Sequence, residues 1–266
     1  MSVLIVIPAR YASTRFPGKP LAALKGADGV EKSLIRRSWD AACAVRGVAR
    51  VVIGTDDDRI KAAAEAFGAD VVMTSSECKN GTERCSEAVK ALGEVYNIVV
   101  NFQGDAPLTP HWFVEDLIKG LNGDSTADVA TPVLRCDARA LNGFLEDRAH
   151  GRVGGTTAVF GTDQHALYFS KEVVPFTPKR YNDGELTPVF HHVGVYAYRP
   201  SALETYITWP VGPLEALEGL EQLRFLENAR RILCVEVDAK DRQFWELNNP
   251  EDIPRLEEMM QEMDMR

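Results

Sequence analysis

The chain has 266 residues, of which 45% are hydrophobic and 26% charged, a composition typical of a globular protein with a full core. Its net charge of −9 argues against nonspecific binding to nucleic acid, because such proteins carry excess positive charge. No apolar run reaches the roughly 18 residues of a membrane span, and no signal-peptide pattern opens the chain. We therefore expect a cytoplasmic protein that neither inserts into a membrane nor binds nucleic acid.

Five cysteines are present, an odd number without CxxC spacing: Cys43, Cys78, Cys85, Cys136 and Cys234. Structural disulfides pair cysteines and belong to oxidising compartments, whereas zinc sites use closely spaced thiolates. The pattern therefore predicts reduced thiols and argues against a zinc site.

A short apolar run, Val3–Ile7, opens the chain and predicts a strand buried on both faces. The next residues, 9–20, have no helical period and carry Arg10, Arg15 and Lys19; we call this segment the basic loop. Loops at the carboxyl ends of strands bind ligands in open α/β sheets, and converging cations can hold a polyanion such as a triphosphate. A solvated surface loop would have the same composition.

The periodicity of apolar residues alternates along the chain between short buried runs and helical stripes. Strand, loop, helix and strand in succession indicate parallel strands joined by right-handed crossovers. We therefore expect an α/β fold, a mixed and mostly parallel sheet with flanking helices. Further strands are predicted at 51–53, 71–73, 98–101, 129–134, 190–199 and 232–237, and helices at 33–45, 56–67, 88–92, 111–121, 213–230 and 250–263.

Three of these segments carry more specific expectations. The acidic run at 56–58 opens a helix, where carboxylates complement the helix dipole, so we favour a capping role over a metal role. The leucines of 213–230 predict a buried helical stripe. Asp105 follows a glycine at the end of a buried strand, a place suited to Mg²⁺ shared with nucleotide phosphates. The alternative is an Asp-Ala-Pro turn with no role in binding.

These runs resemble the sugar-activating nucleotidyltransferases, and in detail the cytidylyltransferases that make CMP-Kdo, the activated form of 3-deoxy-manno-octulosonate (Kdo). The basic loop matches the pattern IPARxxSTRxPGKPL, including Thr14, and 101–107 matches NxQGDEP except at Ala106. The run at 81–84 matches GTER, with Asn80 replacing the usual serine. Neither GxGxxG nor a P-loop pattern is present.

The resemblance implies a role for each matching position. Implied catalytic residues are Arg10, Lys19 and Asp105. Implied nucleotide-binding residues are Pro8, Ala9, Arg10, Ser13, Arg15, Lys19, Gly81, Thr82, Arg84 and Gln103. Implied acceptor-binding residues are His192, Tyr196, Glu221 and Gln222. Implied Mg²⁺ ligands are Asp105 and Asn248.

Two departures from the family pattern bear on function. Asn248 stands where the family has its second metal-binding aspartate, and an amide oxygen brings no charge to the cation. The segment 136–165 lacks the family's NPNxVKVV run and carries Arg148, Arg152 and a Gly-Gly pair. Acids close to Asn248 that could compensate are Asp238, Asp241, Glu246, Glu251 and Asp252.

The sequence therefore predicts a single domain over 1–266, with a nucleotide-binding part at 1–135 and an acceptor-binding and dimerisation part at 136–266. The expected reaction couples CTP to Kdo with release of pyrophosphate, in an Mg²⁺-dependent homodimer of lipopolysaccharide biosynthesis, as the resemblance implies. Two alternatives stay open: a cytidylyltransferase for an amino-sugar acid, another ulosonate or a phosphonate, and a nucleotide-binding protein without catalysis.

Overall fold

The computed structural model describes residues 2–13, 15–153, 155–240, 242 and 245–265. Thr14, Asp241 and Gly154 of the Gly-Gly pair, which the sequence singled out, lie outside the described residues. The chain divides into two compact units, the first formed by Met1–Glu115 with Ala239–Arg266 and the second by Asp116–Asp238.

The first unit is built on a parallel sheet with the strand order β5-β4-β1-β6. Its elements are β1 (Val3–Ala9), β2 (Ala23–Lys25), β3 (Glu31–Ser33), α1 (Leu34–Cys43), β4 (Arg50–Thr55), α2 (Asp58–Ala66), β5 (Asp70–Met73), α3 (Gly81–Leu92) and β6 (Ile98–Phe102). The apolar side chains of Val3–Ile7 are fully buried, as expected for a central strand with both faces covered.

The second unit begins within α4 and has a mixed sheet. Its central strand, β7, pairs antiparallel with β10 and β11 and parallel with β12, while β8 lies between β10 and β9. Its elements are α4 (His111–Gly123), β7 (Val129–Asp137), α5 (Ala138–Ala149), β8 (Thr156–Phe160), β9 (Ala166–Ser170), β10 (Leu186–His192), β11 (Val195–Tyr198), α6 (Pro200–Tyr206), α7 (Pro213–Glu218), α8 (Leu223–Glu227) and β12 (Ile232–Glu236). The predicted α/β class is confirmed.

The C-terminal segment returns to the first unit and ends in α9 (Ile253–Glu262), which follows a 3-10 turn at Pro250–Asp252. Helix α9 packs on the β2–β3 hairpin, which the sequence analysis missed because each strand has only three residues. Leu24 of the hairpin is fully buried in the same apolar cluster as Leu247 and Leu256.

Three helices of the first unit, α1, α2 and α3, begin at side-chain caps. Ser33, Asp57 and Asn80 each accept a hydrogen bond from a backbone N–H in the first turn of the helix they precede. Asparagine caps helices as well as serine does, so the departure at Asn80 preserves the start of α3. Capping by the acidic run is confirmed for Asp57, while Asp58 lies in the first turn of α2.

The single strand predicted at 190–199 is wrong. The chain forms two strands, β10 and β11, separated opposite Pro132 of β7. Proline has no N–H to donate to a ladder. There Val193 donates its N–H to the Pro132 carbonyl at 3.2 Å, and the Thr131 hydroxyl donates to the Val195 carbonyl at 2.9 Å.

The buried leucine stripe predicted at 213–230 is also wrong. Gly219, with a φ of +63°, ends α7 in a left-handed conformation and separates it from α8. Leu217 is 83% exposed, whereas Glu215 and Arg224 form a buried ion pair at 2.6 Å. The leucine spacing suggested one continuous helix. Because Gly219 ends α7, the segment instead forms two short helices, and the leucines do not share one buried face.

No helix among the described residues has both the length and the apolar character needed to cross a membrane.

Candidate active site

A pocket opens in the first unit at the carboxyl ends of β1 and β6, the edge where parallel sheets bind ligands. Every predicted nucleotide and metal residue lines it except Thr82, which is fully buried in α3. The lining residues are Pro8, Ala9, Arg10, Ser13, Arg15, Lys19, Pro20, Leu34, Cys78, Lys79, Asn80, Gly81, Arg84, Gln103, Gly104, Asp105 and Asn248.

The charge of this wall is mainly positive. Among the described lining residues, five side chains are basic and one, that of Asp105, is acidic. The sequence analysis missed Lys79 and Cys78 as pocket residues, although both lie just before Asn80 and the GTER run. Burial and the nearby Glu87 carboxylate raise the pKa of Cys78 to about 11, so this thiol is protonated at neutral pH and is not a nucleophile.

The basic loop owes its shape to Gly18. Its N–H donates to the Tyr11 carbonyl at 2.9 Å, which closes the loop, and its φ of +72° favours glycine. A Cβ at this position would lie 3.1 Å from the Tyr11 ring, and the Arg59 guanidinium lies 3.3 Å from the centroid of the same ring. The closed loop directs Lys19 into the pocket.

An ion pair between Lys19 and Asp105 connects the basic loop to the turn after β6. The Lys19 Nζ lies 2.7 Å from the Asp105 Oδ2, with 17% and 27% of the two side chains exposed. The turn that carries Asp105 is held by the Ser38 hydroxyl, which donates to the Gly104 carbonyl at 3.0 Å. Asp105, the one acid among the described lining residues, is therefore already next to a cation.

Gly104 allows this turn to approach β1. A Cβ there would lie 2.7 Å from the Pro8 carbonyl oxygen, and backbone cannot move aside cheaply. We expect Gly104→Ala to displace Asp105 and to cost about 1–3 kcal/mol of unfolding free energy, as other overpacking substitutions do. The free energy of unfolding, measured by chemical denaturation, and kcat/KM for CTP would both fall. Gly143→Ala is the control, because nothing lies within 4 Å of a Cβ at that position; equal stability of the two variants would contradict the prediction.

Arg84 lies in the pocket wall but is only 3% exposed. Its guanidinium donates to the Thr74 hydroxyl at 2.5 Å and to the Asp56 carboxylate at 3.3 Å. The capping role predicted for the acidic run is therefore not the role of Asp56, which neutralises Arg84 instead. A buried cation with a carboxylate partner contributes a rigid donor group to the wall rather than free charge.

Asn248 faces the same pocket. Arg15 donates to its side-chain oxygen at 3.3 Å, and Asn248 also makes a side-chain hydrogen bond with Glu246. Burial of its carboxyl group among protein atoms and the negative charge of Asp105 raise the pKa of Glu246 to about 7, although the residue keeps an exposed surface.

The other acids predicted to compensate for Asn248 are placed differently. The carboxylate of Asp252 accepts the backbone N–H groups of Asn248 and Asn249 and the indole N–H of Trp245, so it caps the turn before α9. Glu251 is exposed in that turn, and Asp238 belongs to the second unit.

The oxygen atoms of Asp105 and Asn248, which both line the pocket, are hard ligands of the kind that Mg²⁺ prefers. Within the part of the chain that the structure describes, no three His, Cys, Asp or Glu side chains form a metal-binding group. Mg²⁺ commonly takes one or two carboxylates and completes its shell with substrate phosphates and water. The donor set therefore fits a cation that binds together with a triphosphate.

The predicted acceptor residues lie in the second unit. The His192 Nε2 lies 2.9 Å from the Thr131 hydroxyl, and its ring contacts that of Tyr196, whose hydroxyl donates to the Gln222 side chain at 3.1 Å. Burial, with a smaller effect of the neighbouring His191, lowers the pKa of His192 to about 3, so the imidazole is neutral at physiological pH.

Gln222 is 1% exposed, and its Nε2 has no hydrogen-bond partner among the described residues. Glu221, the remaining predicted acceptor residue, is half-buried, and its carbonyl accepts the Tyr206 hydroxyl at 3.2 Å.

Comparison with known proteins decides the family. A sequence model of the cytidylyltransferases matches residues 4–232. The chain belongs to the cytidylyltransferase family. The resemblance inferred from the basic loop is therefore confirmed, and so is the predicted enzyme class, a CTP-dependent nucleotidyltransferase.

Individual cytidylyltransferases match over nearly the whole chain. A 3-deoxy-manno-octulosonate cytidylyltransferase of Maricaulis maris is 45% identical, covering 97% of this chain and 96% of its own. An 8-amino-3,8-dideoxy-manno-octulosonate cytidylyltransferase of Shewanella amazonensis is 39% identical, covering 97% and 98%. A solved CMP:2-keto-3-deoxy-manno-octonic acid synthetase complexed with CTP is 31% identical, with a TM-score of 0.83 over 99% of this chain and 100% of its own. Cytidylyltransferases generally use a divalent metal ion.

Proposed function

We propose that this chain transfers the cytidylyl group of CTP to a hydroxyl of a 3-deoxy sugar acid, with 3-deoxy-manno-octulosonate as the expected acceptor. The hydroxyl oxygen loses its proton to solvent and forms a bond to the α-phosphorus, the bond from that phosphorus to the bridging oxygen of the β-phosphate breaks, and pyrophosphate leaves. The observation that carries the proposal is the pocket in which the basic loop and Asp105 face each other.

Phosphoryl transfer of this kind depends on in-line positioning and on neutralisation of phosphate charge, and it needs no covalent nucleophile. We assign the triphosphate to Arg10, Arg15 and Lys19, which line the pocket on the basic loop. Lys19 pairs with Asp105 in the pocket, so its positive charge is placed to stabilise the negative charge that develops on the leaving pyrophosphate.

The proposed cation is Mg²⁺, held by Asp105 and Asn248. Once bound, it would neutralise phosphate charge and act as a Lewis acid. The nucleoside is assigned to the wall formed by Gly81, Arg84 and Gln103. A Cβ at Gly81 would lie 2.7 Å from the Asn101 amide nitrogen, so the packing of this wall against Asn101 requires glycine.

We assign the acceptor to His192, Tyr196, Glu221 and Gln222. His192 is neutral, so it would recognise hydroxyl groups rather than neutralise a carboxylate. The Gln222 Nε2 is a buried donor, and leaving such a group unpaired costs about 1–3 kcal/mol. An acceptor oxygen that takes this hydrogen bond would recover that free energy and discriminate against analogues that lack it.

An 8-amino sugar acid is the second candidate acceptor. The Shewanella amazonensis relative named for it is 39% identical to this chain, against 45% for the Maricaulis relative. The segment after β7 also differs from the family pattern. Arg148 lies 3.8 Å from the Glu172 carboxylate, and Arg152 forms an ion pair with Asp147 at 2.9 Å, so neither provides an isolated positive charge.

Pyrophosphate release with CTP, Mg²⁺ and a panel of acids tests the proposal. The panel contains Kdo, its 8-amino analogue, a sialic acid and a simple phosphonate. We expect measurable turnover with Kdo and the highest kcat/KM with Kdo or a related acid. A preference for Kdo by several orders of magnitude would exclude a shift in specificity, and absence of turnover with every acid would contradict the proposed function.

We further propose a homodimer in the cytoplasm. Four exposed apolar side chains follow α6 within one stretch of the second unit: Ile207, Val211, Leu214 and Leu217. Apolar side chains clustered at a surface commonly mark an interface between proteins. Light scattering during size-exclusion chromatography should give twice the monomer mass, and a monomer would contradict the dimer.

A further inference from the structure

Two residues of the first unit hold the guanidinium of Arg84 at the pocket wall. Asp56 and Thr74 follow directly after the parallel strands β4 and β5, whose carboxyl ends meet at the same edge of the sheet. The Thr74 N–H donates to the Thr55 carbonyl at 2.8 Å, which ties the two strand ends together. Arg84 then donates to the Thr74 hydroxyl at 2.5 Å and to the Asp56 carboxylate at 3.3 Å, so both strand ends orient it.

The rest of the Arg84 side chain is equally confined. Its aliphatic part lies against Gly54 of β4, where a Cβ would be 3.4 Å from the Arg84 Cγ. The side chain is 3% exposed, yet Arg84 lines the pocket, whereas Asp56 and Thr74 are not among the described lining residues. A guanidinium carries five N–H donors and no acceptor. Arg84 therefore offers a ligand only donors, and their direction is set by groups behind the wall.

The pair of Asp56 and Arg84 differs in geometry from the buried pair of Glu215 and Arg224. In that pair both carboxylate oxygens accept from the guanidinium, at 2.6 and 2.7 Å. Asp56 makes one contact, longer than the about 2.7–2.9 Å of most charge-assisted hydrogen bonds. Its Oδ1 is buried and accepts no hydrogen bond from the described residues, which is unfavourable for the fold. The geometry therefore favours a role for Asp56 in placing Arg84 over a role in stability.

We propose that Asp56 is a positioning residue for recognition of the nucleotide base. With Thr74 it holds Arg84 so that the remaining N–H groups of the guanidinium meet acceptor atoms of the base. Cytosine offers N3 and O2 as neighbouring acceptors, whereas N3 of uracil carries a proton, so a group that only donates favours CTP over UTP. The inference rests on the proposed function in one respect, that the nucleoside lies against the wall of Gly81, Arg84 and Gln103.

Nucleotide binding provides a test that does not depend on turnover. Calorimetric titration of the full-length protein with CTP and with UTP, in the presence of Mg²⁺ and without acceptor acid, gives the two Kd values. We expect Asp56→Ala to raise the Kd for CTP about tenfold and to change that for UTP less than about twofold. Asp56→Asn, whose amide oxygen still accepts from Arg84, should recover part of the CTP affinity. Asp58→Ala, an exposed acid of the same run, is the matched control and should leave both Kd values unchanged.

A double-mutant cycle with Arg84→Met shows whether Asp56 acts through Arg84. If it does, Asp56→Asn will raise the Kd for CTP less in the Arg84→Met background than in the wild type. Thr74→Val removes the other acceptor without leaving a buried charge unpaired, and it should reduce the preference for CTP in the same direction. Equal changes in the two backgrounds, or Asp56→Ala and Thr74→Val variants that keep the wild-type ratio of CTP to UTP affinity, would overturn the proposal.

Failure of this inference is distinguishable from failure of the proposed function. Pyrophosphate release by the wild type reports on the reaction, and the ratio of the two Kd values reports on the base. A wild type that selects CTP but turns over no acid would contradict the reaction and leave the result on Asp56 standing. Thermal unfolding of each variant without nucleotide reports on the fold. A variant that unfolds at a lower temperature and loses CTP and UTP affinity equally would show a purely structural role and contradict the inference.

Discussion

Asp105→Asn is expected to lower kcat/KM for CTP at least about 1,000-fold, equivalent to roughly 4 kcal/mol of transition-state stabilisation. Asp105 is the only acid on the described pocket lining, and it holds Lys19 at 2.7 Å. The amide would remove a cation ligand and also leave Lys19 without its counter-charge. Steady-state pyrophosphate release across a Mg²⁺ titration measures the effect.

Asp183→Asn is the control for this substitution, because Asp183 is an exposed acid of the second unit. It should leave both the rate and the Mg²⁺ dependence unchanged. If Asp105→Asn retains the wild-type Mg²⁺ titration, another group holds the cation and the assignment of Asp105 is wrong. Asn248→Asp, by contrast, should lower the Mg²⁺ concentration needed for half-maximal activity, since it adds a charge to the site.

Lys19→Ala is expected to reduce kcat/KM for CTP by about 100-fold or more, because it removes a cation that faces charge developing on the leaving pyrophosphate. Lys19 is largely buried at the end of a loop closed by Gly18, so no other side chain can easily take its place. Arg10→Ala should have an effect of the same order. The rates should be measured at saturating acceptor, with CTP varied.

The matched control is Lys25→Ala, which removes an exposed lysine on β2 outside the pocket. Thermal unfolding should show that Lys19→Ala retains the fold, since the substitution opens no cavity in the core. Turnover of CTP at the wild-type rate by Lys19→Ala would exclude the basic loop as the triphosphate site.

Much of the first unit could be predicted because its signals are local. The run Val3–Ile7 is apolar at every position, and a buried parallel strand requires that pattern. Ser33 and Asp57 mark helix starts because their short side chains reach a backbone N–H in the next turn. The helix predicted at 88–92 was too short, since α3 already begins at Gly81 after the Asn80 cap. The basic loop carried the family resemblance, and family membership confirmed it.

Prediction failed where a distant residue decided the local structure. The strand expected at 190–199 divides because Pro132, far away in sequence, lies opposite the break. Asp56 was grouped with the caps of α2, but its partner is Arg84 of α3. Neither outcome can be deduced from the spacing of neighbouring residues.

The sequence by itself determined the α/β class, the basic loop and the position of Asp105, because each depends on residues adjacent along the chain. Only the tertiary structure decided that Lys19 meets Asp105 and that Leu247 joins the segment of Glu246 and Asn248 to the same turn. The physical reason is that hydrogen bonds and ion pairs act over a few ångströms in space. Folding brings residue 247 within 3.0 Å of residue 105, and no local pattern encodes that distance.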